Sequence, residues 1–127
     1  MQVSDILAND LSKIIHKSRL NTLTLLVESL FHAKFFSLTG LARSLVTNVQ
    51  ERSAIRRVDR FLGNEHIQKE KFSIYKLISK KIIRNSARPI IIVDWTLIPN
   101  QSYYVIRAAM VTSGRALTLY EEVHLLL

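Results

Sequence analysis

Arginine occupies positions 52, 56 and 60, and a four-residue spacing sets these side chains in one row along a helix, with Arg57 beside them. Ile55, Val58, Phe61 and Leu62 fall on the opposite side, so one face would pack and the other would carry charge. A guanidinium is a planar fork of donors that stays protonated, which suits phosphate oxygens and guanine edges. Lys76, Lys80 and Arg84 repeat the spacing, with Lys69 near the same row and Phe72, Tyr75, Ile78, Ile82 and Ile83 opposite. Such rows are either solvated helix faces or nucleic-acid contacts. Their concentration favours contact, because residues 43–88 hold twelve Lys or Arg against Glu51, Asp59, Glu65 and Glu70, enough to account for the net charge of +8. From Pro89 onward Arg107 and Arg115 face Asp94, Glu121 and Glu122, and the chain is close to neutral.

Asp94 is the second group that could do chemistry. It follows Ile90, Ile91, Ile92 and Val93, a β-branched run expected to form a strand buried on both faces. A carboxylate there is costly unless it is paired, metal-bound or solvated in a cleft. It is either a cap at the strand end or a ligand for a hard divalent cation such as Mg²⁺ or Mn²⁺. His16, His32, His66 and His124 lack ligand spacing, and the glycines at 40, 63 and 114 are too scattered for a phosphate-cradling loop. With no cysteine, disulfides, thiolate zinc sites and thiol nucleophiles are excluded together.

The elements that would position these residues follow from periodicity. Ser4 precedes Ile6, Leu7, Leu11, Ile14 and Ile15, an amphipathic helix with a serine cap. A second helix is expected over 21–34, with Leu23, Leu26, Val27, Leu30 and Phe31 on its packed side, and a third opens at Thr39 and ends near Thr47. Asn48 with Glu51 resembles a capping box for the arginine helix, which Gly63 would stop. Segment 38–45, which includes Arg43, a short turn and the arginine helix have the layout of a helix-turn-helix. The last helix spans about 69–85. Pro99-Asn100 and Ser113-Gly114 then mark turns between strands at 90–93, 103–112 and 115–123. The fold expected is α+β: an all-helical domain over 1–88, then three antiparallel strands over 89–127. Asp5 and Asp10 stand where a targeting segment would be basic, and no apolar run approaches the roughly 18 residues of a membrane span, so a soluble cytoplasmic protein is expected.

The stretch IIIVDWT at 90–96, followed by VIRAAMVTSGRALTLYEE at 105–122, resembles bacterial insertion-sequence transposases of the DDE class, in the branch with a tyrosine, arginine, glutamate and lysine signature. IRRVDRFLGNEHIQKEKFSIYK at 55–76 is similar to the same family's segment between its DNA-binding helices and catalytic domain. The resemblance implies that the helical domain binds transposon ends, with Arg43, Arg52, Arg56, Arg57, Arg60, Lys76, Lys80 and Arg84 as contacts, at the nucleoid. It implies that residues 89–127 begin a ribonuclease H-like domain, and that Asp94 matches the first of three catalytic acids holding Mg²⁺ or Mn²⁺. The family's second aspartate, its glutamate and its signature have no counterpart in the sequence, and Glu121 and Glu122 do not stand in for them. A truncated copy is therefore expected, inactive alone and holding metal weakly at most. Its partners would be terminal-repeat duplex DNA and another copy or a full-length transposase. The alternatives are a stand-alone repressor derived from such an enzyme, or a helical adaptor whose basic faces bind an acidic protein.

Overall fold

A computed structural model describes residues 8–126, so the expected Ser4 cap, with Ile6 and Leu7, lies outside the described residues. The fold is α+β: among the described residues, five helices precede a three-stranded antiparallel sheet. The helices are α1, whose described part is 8–11, then α2 (Lys17–His32), α3 (Leu38–Arg43), α4 (Glu51–Leu62) and α5 (Glu65–Ile83). The strands are β1 (Ile91–Leu97), β2 (Tyr103–Thr112) and β3 (Arg115–Leu125). The chain divides into two compact units within α5, one ending at Lys71 and the other starting at Phe72. Among the described residues no helix is long and apolar enough to cross a membrane.

The first unit has its core where α2, α3 and α4 meet. Leu26, Ala42, Leu45, Ala54 and Val58 are buried together, with Ile55 and Phe61 packed against them. Val58 is 0% exposed, as its place opposite the arginines requires, whereas Leu62 is exposed and the small Ala54 takes the inward place. Helix α2 departs further from its expected pattern. Thr22 and Ser29 are buried beside Leu20 and Leu26, while Leu30 and Phe31 face solvent, Phe31 at 71% exposure. The hydroxyls can be buried because each donates to its own helix, Thr22 Oγ1 to the Ser18 carbonyl and Ser29 Oγ to that of Leu26.

The caps also differ from expectation. His16 caps α2, accepting from Ser18 N, so the helix begins earlier than position 21. Ser37 Oγ accepts from Gly40 N to start α3. Gly40 itself lies so close to Phe35 that a Cβ would come within 2.3 Å of its carbonyl oxygen. The capping box at Asn48 does not form: the N-cap of α4 is Gln50, with no side-chain bond, and Glu51 instead accepts from Arg43. The connector over 44–50 is longer than the three- or four-residue turn usual in a helix-turn-helix. Asn64 caps α5 through Oδ1, which accepts from His66 N and Ile67 N.

In the second unit the strands pair in the order β1-β2-β3. Asn100 and Gly114 turn the chain between them at φ of 61° and 73°. A bulge at Ala108/Ala109 interrupts the β2–β3 ladder. Ser79 Oγ donates to the Leu119 carbonyl at 2.5 Å, and Phe72 and Tyr75 meet the Tyr120 ring edge-on, which holds the latter part of α5 against β3. Ala109, Met110 and Leu119 are buried, but every residue of β1 is exposed. The expectation of a strand buried on both faces is thus overturned. β1 is an edge strand of a three-stranded sheet, paired with β2 alone among the described residues.

Candidate nucleic-acid interface

Helix α4 presents Arg52, Arg56 and Arg60 to solvent, with Arg57 half-buried beside them. Among the described residues no carboxylate comes within ion-pair distance of these four. The arrangement costs stability. Like charges four residues apart destabilise a helix by about 0.2–0.5 kcal/mol per pair, which applies to Arg52 with Arg56 and to Arg56 with Arg60. Arg60 in the last turn gains from the helix dipole, but Arg52, second in the helix, stands at its positive end. Asp59, three residues after Arg56, offsets part of this cost, and an anionic partner would relieve the repulsion that is left.

Arg56, Arg57 and Arg60 line a cleft of about 600 Å³ whose other wall is the start of α2, with Ser18, Arg19 and Thr22. Sequence reasoning missed this wall, because Arg57 and Thr22 are 35 positions apart and no periodicity connects them. Arg57 Nε donates to Thr22 Oγ1 at 3.2 Å. Arg19 is held in two places by Glu70, Nε donating to Oε2 at 3.0 Å and Nη2 to Oε1. Hydrogen bonding to Glu70 raises the Arg19 guanidinium above its ordinary pKa, so it stays charged.

The remaining sequence-predicted contacts are distributed differently. Arg43 is engaged with Glu51 at 2.7 Å in an exposed pair, the kind worth about 0–1 kcal/mol, so an anion can compete for it. Lys76, Lys80 and Arg84 are exposed as expected, on the part of the chain assigned to the second unit.

Asp94 lies inside β1 rather than at its end, since the strand continues to Leu97, and it is exposed. Its Oδ1 accepts from Trp95 N at 2.8 Å. Across the sheet it stands opposite Arg107, which in turn stands opposite Glu121 and donates to it at 3.0 Å. Asp94, Arg107 and Glu121 thus form one cross-strand row with a cation in the middle. A divalent ion gathers several oxygens, and a guanidinium between two carboxylates does not fit that requirement. Among the described residues no three His, Asp or Glu side chains stand together as a metal would need. No step through a metal follows from this arrangement.

The fold and this surface define an α+β protein with a basic helical unit and a small antiparallel sheet. No protein-family model, curated protein or solved structure matches the chain.

Proposed function

We propose that the protein binds duplex DNA through its helical unit, with α4 as the element set against the nucleic acid, and that this binding serves DNA transposition. The observation that carries the DNA reading is the exposed row Arg52, Arg56 and Arg60, without carboxylate partners among the described residues and at a cost to its own helix. The transposase reading rests on the sequence resemblance and is supported by the order of elements, helices followed by three antiparallel strands with Asp94 on the first. In this reading the sheet is of ribonuclease H-like descent, the DNA is a transposon end, and the protein resides with the nucleoid. Asp94 descends from a metal-binding acid, but with Arg107 opposite it the chain holds Mg²⁺ or Mn²⁺ weakly and does not cut DNA alone.

Substituting Ala for Arg52, Arg56 and Arg60 together tests the DNA reading. Affinity for duplex DNA should fall, and the slope of log affinity against log salt should flatten by roughly one for each phosphate that is no longer neutralised. An unchanged slope sinks the reading. A regulator that acts by pairing with another transposase copy is a second reading, favoured by the uncovered β1 edge.

A further inference from the structure

The cleft between α2 and α4 differs from the open row of arginines in being a built recess. Arg57 is the residue that distinguishes it. Its guanidinium is half-buried, its partner is a neutral hydroxyl, and that hydroxyl is itself fixed by donating to the Ser18 carbonyl at 3.2 Å. Held by Nε alone, Arg57 keeps both Nη groups as donors. Arg56 and Arg60 add two more guanidiniums to the lining, while Ser53 and Asn64 add neutral donors. The Asn64 carbonyl is already used in capping α5, which leaves its amide NH₂ to donate. Among the described residues no acidic side chain lines the cleft, and Glu70, the nearest acid by bonding, is occupied by Arg19.

We propose that this cleft is a phosphate-binding site with Arg57 as its pre-set fork, and that in the DNA complex its occupant is one backbone phosphodiester. Several charge-assisted donors lining one recess suit a tetrahedral phosphate, whose oxygens point out of a single plane and can accept from several directions, better than a planar carboxylate. The backbone occupant rests on the DNA-binding reading; the phosphate site does not. Arg52 does not line the cleft, so it serves as an internal control on the same helix.

The experiment uses the full chain with Arg57→Gln, Arg57→Lys and Arg52→Gln. Two quantities are measured at constant ionic strength: affinity for a duplex, and the saturable rise of Tm with inorganic phosphate. Arg57→Gln should lower DNA affinity about tenfold or more and abolish the phosphate-dependent rise. Arg57→Lys keeps the charge and stem, guards against loss of folding, and should restore neither in full. Arg52→Gln should weaken DNA binding while retaining the rise. If phosphate protects the original chain and Arg57→Gln alike, the site is overturned, although DNA binding that depends on the α4 row would still stand. If the original chain fails to bind duplex but shows phosphate protection that Arg57→Gln removes, the site holds a small phosphate ester and the DNA reading falls.

Discussion

Glu70 has two opposing effects at the scale of a single residue. Its carboxylate ties Arg19 down and so supports the cleft wall, but it also cancels one positive charge beside the proposed phosphate site. Glu70→Gln should therefore lower Tm while raising DNA affinity, because Arg19 becomes available as a further donor. Paired thermal melts and DNA titrations check this, and a fall in both quantities would show the pair to be purely structural. Asp94 allows a similar separation. Asp94→Asn should leave DNA binding intact or slightly stronger, and neither form should nick DNA with Mg²⁺ or Mn²⁺. Metal-dependent cleavage that disappears in Asp94→Asn would contradict the reading of Arg107 as an obstacle to metal. The arginine row was legible from sequence because four-residue spacing is a local property. Arg19 and Thr22 were not, since Arg19 meets Glu70 across 51 positions and Thr22 meets Arg57 across 35.

Elements were legible where local chemistry decides them and not where packing does. The span of β2 follows directly from its turn signals at Asn100 and Gly114. The packed face of α2 does not, because burying Thr22 and Ser29 in place of Leu30 and Phe31 depends on what α3 and α4 offer to that face. Gly40 tests this scale. Gly40→Ala would set a methyl against the fixed Phe35 carbonyl, and the chain there has to shift, at a cost of about 1–3 kcal/mol by chemical denaturation. The junction of α5 with β3 provides a second test, through pH. Desolvation raises the Tyr75 hydroxyl above its ordinary pKa, and the hydrogen bond to Glu122 raises that of Tyr120. A folded-state pKa above the unfolded one means that the native protein holds its proton more tightly. Stability from these groups is present in full below about pH 10 and is lost as pH rises through the folded values. Tyr120→Phe should flatten the alkaline limb of a stability–pH curve, and an unaltered limb would count against the bond to Glu122.

At the scale of the whole molecule, the apolar run at 90–93 conveyed the existence of a strand but not its surroundings. β-Branched residues favour a strand in either setting, and only the number of neighbouring strands decides whether they are covered. In this sheet β1 exposes Trp95 at 71%, with Ile92 and Val93 also uncovered, and one side of its backbone has no strand beside it among the described residues. Unpaired edge groups next to apolar side chains form a template for another strand. The protein should therefore associate with increasing concentration, and amide exchange in β1 should be fast in dilute solution and slow in the associated form. Val93→Lys places a charge on the exposed edge strand at a position that is itself 68% exposed. It should keep the chain monomeric to higher concentration in sedimentation, with the helical unit and its DNA affinity unchanged. A chain that stays monomeric at all concentrations while β1 exchanges as slowly as α4 would mean that the edge is protected by some means other than a partner. Association undiminished by Val93→Lys would instead move the contact to the exposed aromatics Phe31, Phe35 and Phe36 of the first unit.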